Sequence, residues 1–360
     1  MTRSIAERVY GCLIGGAIGD ALGAPVEGWS YRQIRAEYGK VETFRTYDNP
    51  HSRGKPGSVT DDTVMRHYLC VAINERNGRI TPDEYADVLQ QHLNTDRVWV
   101  TEEVVVRKLA AGINPWEAGR GNIPTGTAAM SIAPVGIVNA ANPRQAYQDG
   151  FNIASVNQDR VNRDTAATVA AGIAEALSPD ATVESVIEVM LSHSSDTVFR
   201  ALDLALDLAE ESSTVDEFVE RFYEELLDWS WPAVEWDLDL YREGRVFSAD
   251  SIEFLPAVVG ILSLCGDDVD QSLVESASFG RDCDTIASLT GNFVGALHGT
   301  DGLRDEWVET CEEANAEFLD EVHGDEDVDF ETVAGWMVEA LESEQHRAQQ
   351  RVNTLDTVLR

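Results

Sequence analysis

The sequence predicts an all-α protein with one domain, and three observations support this fold class. Apolar residues recur every three to four positions in residues 82–93, 165–177 and 198–207, and this spacing is typical of amphipathic helices. Segments with the apolar–polar alternation of β-strands are scarce. No Pro/Ser-rich linker, internal repeat or low-complexity block divides the 360 residues, although the length alone would permit two domains. We therefore expect a single domain over residues 1–360.

The first predicted helix, near the N-terminus, carries Gly11, Gly15 and Gly19 along one side. Glycine costs about 1 kcal/mol relative to alanine in a helix interior, so the stripe predicts a close contact with another backbone. The apolar run is shorter than the roughly 20 residues that cross a bilayer, and Asp20 interrupts it. We therefore expect neither a membrane span nor a signal peptide here.

Two short acidic clusters, Thr60-Asp61-Asp62-Thr63 and Asp282-Cys283-Asp284-Thr285, each follow a glycine-containing turn and precede an apolar, helix-like stretch. Each should therefore lie at a helix N-terminus. Carboxylate and hydroxyl oxygens are the ligands that Mg²⁺, Mn²⁺ and Ca²⁺ prefer, so the two clusters resemble halves of one metal site. Alternatively, each cluster only caps its helix, because Thr and Asp are favoured N-cap residues.

The helix predicted after the second cluster also carries a glycine stripe. Gly291, Gly295 and Gly299 recur at every fourth position. Residues four apart lie on one face of a helix, so this face can approach another backbone closely.

The charge balance is strongly acidic, with 64 Asp and Glu against 27 Lys and Arg and a net charge of −37. Such a surface repels itself at low salt and is tolerated when the screening length falls to about 3 Å near 1 M salt. We therefore predict a protein of a salt-accumulating cytoplasm. Without a basic patch to neutralise phosphates, direct nucleic-acid binding is not expected.

The remaining features concern stability and assembly. Five scattered cysteines form no CxxC pair, which indicates neither a zinc site nor a disulfide scaffold.

An acidic connection is predicted over residues 320–331 and a C-terminal helix over 332–360. This helix could be a packing or oligomerisation element; the pattern does not give the oligomeric state. Trp229, Trp231, Trp236 and Tyr241 could stack on a ligand, but large aromatics more often belong to a core, so they are left out of the predicted site.

Four motifs in this order resemble the ADP-ribosylglycohydrolase family, which includes the dinitrogen reductase-activating glycohydrolases and the ADP-ribosyl-acceptor hydrolases. The resemblance extends from about residue 8 to residue 300. The motifs are the N-terminal glycine helix ending in Pro25-Val26-Glu27, the Thr60–Thr63 cluster, the small-residue segment Thr125–Gly136, and Gly280–Ala287 followed by Gly291 and Gly295.

The resemblance implies a single-domain orthogonal helical bundle with a binuclear Mg²⁺ or Mn²⁺ centre. It implies hydrolysis at the ribose anomeric carbon of an ADP-ribosylated protein or of a small ADP-ribosyl or ribosyl compound. By the same resemblance, one ion is held by Thr60, Asp61 and Asp62, and the second by Asp282, Asp284 and Thr285, with Asp284 as a candidate bridge. Glu27 matches a glutamate that guards the site, and Gly126, Thr127 and Ala128 match a phosphate-binding loop.

The chemistry of such a reaction assigns roles to the acids. Departure from C1 of ribose builds positive charge on the sugar ring, and a water arrives on the opposite face. An ionised carboxylate can accept the proton of that water and stabilise the positive charge. Asp62 is the first candidate for this base, with Asp61 beside it. In the alternative, all four Asp residues bind metal and Glu27 takes the proton.

The middle of the chain departs from the family pattern. Many members carry a Thr-His pair after the phosphate loop, whereas no histidine occurs here between His92 and His193. Arg160 and Arg163 could bind phosphate oxygens in its place, or could simply be exposed. Hydrolysis of a smaller ribosyl compound, such as a nucleoside, is therefore kept as an alternative. A hypothesis of another class is a catalytically silent ADP-ribose or nucleotide binder with a structural ion.

Overall fold

Helices form almost all the regular structure of the computed structural model, which describes residues 3–48, 53–226 and 250–360. Trp229, Trp231, Trp236 and Tyr241 lie outside these residues. The α-helices are α1 Ile5–Gly23, α2 Tyr31–Tyr38, α3 Asp61–Arg76, α4 Pro82–His92, α5 Val100–Ala110, α6 Thr127–Ser131, α7 Ala133–Val138, α8 Pro143–Ile153, α9 Val161–Ala176, α10 Val183–His193, α11 Asp196–Glu210, α12 Val215–Arg221, α13 Ser251–Cys265, α14 Val269–Ala277, α15 Cys283–His298, α16 Asp305–His323 and α17 Phe330–Val358.

Shorter elements connect these helices. One antiparallel hairpin pairs β1, Tyr47–Asp48, with β2, Arg53–Gly54. Single 3₁₀ turns occur at Ala24–Val26, Thr95–Arg97, Pro115–Glu117 and Ala154–Val156, and a π-turn at Phe222–Leu226 extends α12. The three helices predicted from periodicity are confirmed as α4, α9 and α11, and with them the all-α fold class.

The two glycine stripes are each other's partners, because α1 and α15 pack antiparallel with their backbones in contact. A Cβ on Gly15 would lie 2.6 Å from the carbonyl oxygen of Gly291, and one on Gly295 would lie 2.0 Å from that of Gly11. No side chain fits at these distances. The pairing sets the C-terminal end of α1 beside the N-terminal end of α15, where the second acidic cluster begins.

In the described part of the chain, one helix is long and apolar enough to cross a membrane, and it is α1 with the turn after it, Ile5–Val26. The apolar run is thus longer than the sequence analysis expected. Of its most apolar window, 89% is buried inside the protein. The structure accounts for its composition by its place in the core.

The C-terminal boundaries differ from those expected. The α16 helix continues to His323, so the acidic connection covers residues 324–329 rather than 320–331, and α17 begins at Phe330 rather than 332. Gly324, with φ of 67°, ends α16, and the Asp329 side chain caps α17 by accepting from the Thr332 backbone N–H. Local capping therefore decides both boundaries.

Candidate active site at the N-termini of α3 and α15

The two acidic clusters, 220 residues apart in sequence, meet in one cleft. It encloses about 460 Å³ of unoccupied space, including its open mouth. Both clusters lie at helix N-termini, as predicted. The lining residues are Glu27, Asp61, Asp62, Trp99, Thr125, Gly126, Thr127, Met130, Asp282, Asp284 and Thr285.

Asp20 fixes the start of α3 and is a residue that the sequence analysis missed. This fully buried side chain accepts hydrogen bonds from the Thr60 N–H at 3.0 Å, the Thr63 N–H at 3.1 Å and the Thr63 hydroxyl at 2.6 Å. It thereby caps α3 from a different helix and orients Asp61 and Asp62. The available signal was a single acid inside an apolar, glycine-rich run, since a buried carboxylate needs partners.

The turn before α15 has an unusual backbone. Gly280 and Arg281 have φ of 82° and 62°, a region that non-glycine residues rarely adopt. The Arg281 N–H donates to the Trp29 carbonyl at 2.6 Å, and the Gly28 N–H donates to the Arg281 carbonyl at 2.7 Å. The buried Arg281 guanidinium also forms an ion pair with Glu253, with Nη2 and Oε2 2.9 Å apart. These bonds hold the turn against the segment that follows Glu27.

The carboxylates form a connected group in the cleft. Glu27, Asp282 and Asp284 each offer an oxygen, and these three atoms lie within 4.8 Å of one another. The Thr285 hydroxyl donates to Asp62 Oδ2 at 3.4 Å, which links the two clusters. Asp62 Oδ1 and Asp282 Oδ2 are buried without a hydrogen-bond partner among the described residues. Buried acceptors are rarely left so, and a cation would satisfy them.

Burial and mutual repulsion disfavour the charges of these acids. Burial, and then the charge of Asp20, raises the pKa of Asp284 to about 7. Burial also raises the pKa values of Glu27, Asp62 and Asp282 well above the ordinary range, and in each case the Asp284 charge is the next cause. Without a cation, the group therefore retains protons that a bound cation would displace.

A second acid that the sequence analysis missed, Glu102 of α5, lies near the cleft but is not among the residues that line it. Its side chain is 1% exposed, accepts from the Thr101 hydroxyl at 2.9 Å and leaves Oε1 without a hydrogen-bond partner. Its charge is the largest cause, after burial, of a raised pKa at Asp61. Glu102-Glu103 resembles an ordinary helix surface in sequence, so no clear signal marked it. Trp99, which precedes α5, also lines the cleft, and no clear signal in the sequence marked it either.

Two predicted site residues, Thr60 and Ala128, do not line the cleft, and neither do the two arginines that were considered for phosphate binding. Thr60 is buried, and its hydroxyl accepts from the Asp62 N–H at 3.4 Å as a helix cap, so its place in a metal site stays a prediction. Ala128 lies buried behind Thr127 in α6. Arg163 donates to the Phe151 carbonyl at 3.0 Å and stacks on the Phe151 ring, and Arg160 is exposed, so the phosphate role considered for these arginines has no support.

Residues 1–347 match the family model of the ADP-ribosylglycohydrolases. An uncharacterised protein of Archaeoglobus fulgidus is 27% identical over 326 residues, covering 88% of this chain and 94% of that protein. The ADP-ribosylhydrolase ARH3 of Mus musculus is 24% identical over 345 residues, covering 86% of this chain and 88% of that protein. A solved ADP-ribosylglycohydrolase-related protein complex superposes with a TM-score of 0.65 at 19% identity, over 94% of this chain and 97% of that one, and shares the fold.

Proposed function

Because the chain belongs to the ADP-ribosylglycohydrolase family, we propose that it is a metal-dependent hydrolase that cleaves a glycosidic bond at the anomeric carbon of a ribose. One observation carries the proposal. Five acids from three separate parts of the chain meet in a single cleft, and these are Glu27, Asp61, Asp62, Asp282 and Asp284. A cluster of this kind is costly to bury without a positively charged partner.

The donor set fits two hard divalent cations, Mg²⁺ or Mn²⁺. The orphaned buried oxygens of Asp62 and Asp282 and the close approach of Glu27 to Asp282 and Asp284 support this fit. Bound ions would orient the ribose hydroxyls and lower the pKa of an attacking water. The residues proposed to hold them are Thr60, Asp61 and Asp62 for one ion and Asp282, Asp284 and Thr285 for the other.

The chain's own residues supply the rest of the chemistry. Asp62 is the proposed base, because it lines the cleft and leaves Oδ1 without a hydrogen-bond donor. The ionised acids around the sugar would stabilise the positive charge that develops as the bond breaks. Glu27 is the alternative base. Gly126 and Thr127, at the start of α6, also line the cleft and are proposed to contact the phosphate side of the substrate.

The proposed substrate is an ADP-ribosylated protein or a small ADP-ribosyl compound, and the similarity to mouse ARH3 supports this class. One observation favours a second candidate, a nucleoside or other ribosyl compound without a diphosphate. Among the lining residues that the structure describes, none is Lys, Arg or His, so a diphosphate would depend on Thr125, Gly126 and Thr127. A binder without activity is the remaining alternative.

A substrate screen with and without divalent ions tests the proposal. Protein in molar KCl would be incubated with ADP-ribosyl-arginine, ADP-ribosyl-serine, O-acetyl-ADP-ribose and nucleosides, and released ADP-ribose or ribose would be measured. Asp284→Asn should lower turnover by roughly 10²–10⁴, the usual effect of removing one positioned acid–base or metal function. The matched control is Asp267→Asn, because Asp267 is exposed between α13 and α14.

Two results would contradict this function. Full turnover in the presence of a chelator, or in the Asp284→Asn variant, would remove the metal-dependent mechanism. Tight binding of ADP-ribose without release from any substrate would favour the silent binder.

A further inference from the structure

The distal half of α17 leaves the body of the protein. Every residue from Gln345 to Arg360 is exposed, whereas Phe330, Val333 and Met337 at the start of the helix are buried. At 1.5 Å per residue, the helix from Gln349 to Val358 extends by about 14 Å beyond Ala348, the last of its residues that lines a groove with the body. An isolated helical segment of this length is marginal in water, so a helix that continues here needs a packing partner.

This projecting segment carries an apolar stripe. Ala348, Val352, Leu355 and Leu359 follow the four-three-four spacing of a coiled-coil seam, and the last three are 47–82% exposed. The same stripe continues toward the body, where it faces a groove between α17 and α7. The apolar residues that line the groove are Val338, Leu341 and Ala348 of α17, Val138 at the end of α7, Ala140 after it, and Ile5 of α1. Its polar lining residues are Arg79, Asn139, Asn142, Gln145, Glu342, Glu344 and Gln345.

The charge of the segment is unlike that of the rest of the chain. Residues 345–360 contain three arginines, Arg347, Arg351 and Arg360, against one acid, Asp356, in a protein with a net charge of −37. Exposed Glu339 and Glu342 flank the stripe near the groove. The match to the family model ends at residue 347, so most of the segment lies outside the matched residues. Arg347 already pairs with Glu344 of its own helix, so Arg351 and Arg360 are the arginines of one copy that can meet acids of the other. Two copies can thus approach through this segment with little repulsion.

We propose that two copies of the chain associate through this segment as an antiparallel helix pair. The direction follows from the stripe, which at its base faces the body of its own copy. A parallel partner would need the space that the body occupies, whereas an antiparallel partner places its own body beyond the end of the helix. The resulting layers join Leu341 to Leu359, Gln345 to Leu355 and Ala348 to Val352, each from one copy to the other. Leu359 then lies at the groove of the second copy.

The first test measures molar mass by size-exclusion chromatography with light scattering, in molar KCl at micromolar to millimolar protein. The wild-type chain should shift with concentration from 39.6 kDa toward twice that mass. Leu355→Asp and Val352→Asp should remain monomeric. Val358→Asp is the matched control and should behave as wild type, because Val358 is 74% exposed on the same helix but off the stripe.

The second test determines direction by cysteine cross-linking, which the native cysteines do not disturb because all five are buried. The double variant Leu341→Cys, Leu359→Cys should form a disulfide-linked dimer on mild oxidation, whereas Leu359→Cys alone should not. Efficient linking by Leu359→Cys alone would overturn the antiparallel arrangement. A wild-type monomer at every concentration, or dimers unaffected by Leu355→Asp, would overturn the association itself. Co-sedimentation of a monomeric chain with anionic phosphatidylserine vesicles, lost in Leu355→Asp, would assign the stripe to a membrane surface instead.

Discussion

Each acid in the cleft is more easily protonated than the same residue in water, and Asp284 shows the consequence most directly. In the unfolded chain its carboxyl ionises near its ordinary pKa of 3.8, whereas in the folded protein it keeps its proton up to about pH 7. Between these pH values the folded state binds more protons than the unfolded state. Proton release from Asp284 therefore lowers the free energy of unfolding as the pH rises from about 4 to about 7.

A pH series in chelator tests this linkage. We expect the metal-free protein to melt at a lower temperature at pH 7 than at pH 5, and we expect added Mn²⁺ to raise the melting temperature more at pH 7, because the ions displace protons. Repulsion among the other acids also increases as the pH rises and also lowers the melting temperature. The control is therefore Asp284→Asn, which removes the titration of this one carboxyl. The variant should depend less on pH than wild type in chelator. If the melting temperatures of the two proteins fell equally with pH, Asp284 would not be the source of the pH dependence.

Among single residues, the site residues that could be predicted from the sequence are those whose chemistry appears in a local pattern. Asp61, Asp62, Asp282 and Asp284 stand in short clusters after glycine turns, so their position at helix N-termini followed from sequence. Asp20 acts on Thr60 and Thr63 across the fold, and Glu102 acts on Asp61 from another helix. Contacts of this kind depend on tertiary packing, which local periodicity does not encode.

At the scale of elements, the α1–α15 pair determines the site, because it sets Gly23 against the backbone of Asp284. The glycine stripes predicted a close contact for each helix but did not reveal that the two helices contact each other. The end of α16 was misplaced for a related reason. Asp320 and Glu321 are acidic like the connection that follows, and only the αL conformation at Gly324 marks the end of the helix.

Replacement of one stripe glycine tests the role of this contact. Gly291→Ala would bring a methyl group within 2.1 Å of the Gly15 carbonyl oxygen, so the helices must separate. We expect a loss of about 1–3 kcal/mol in the free energy of unfolding, as for other overpacked cores, measured by denaturant titration in molar KCl. Gly335→Ala is the matched control, because nothing lies within 4 Å of its added Cβ in α17, and it should gain up to about 1 kcal/mol. Equal stability of both variants would show that the pair tolerates separation.

For the whole molecule, the dominant physical term is the net charge of −37. Many arginines already form ion pairs at the surface, for example Arg79 with Asp149 and Arg97 with Glu321, yet the acids outnumber the bases by more than two to one. The surplus carboxylates repel one another over distances that depend on salt. The screening length is about 30 Å at 0.01 M and about 3 Å at 1 M, so this repulsion is largely removed in molar salt.

We therefore expect the melting temperature, measured in chelator, to rise steadily as KCl is increased from about 10 mM to molar concentration. Salt also strengthens apolar burial to some degree, and that contribution must be separated from screening. The variant Asp325→Asn, Glu326→Gln, Asp327→Asn removes three exposed charges from the connection between α16 and α17 without changing an apolar contact. Screening predicts a smaller salt response and a higher melting temperature at low salt for this variant, whereas strengthened apolar burial predicts the same response as wild type. A melting temperature that stays flat in both proteins would remove the adaptation to a high-salt cytoplasm that the composition predicts.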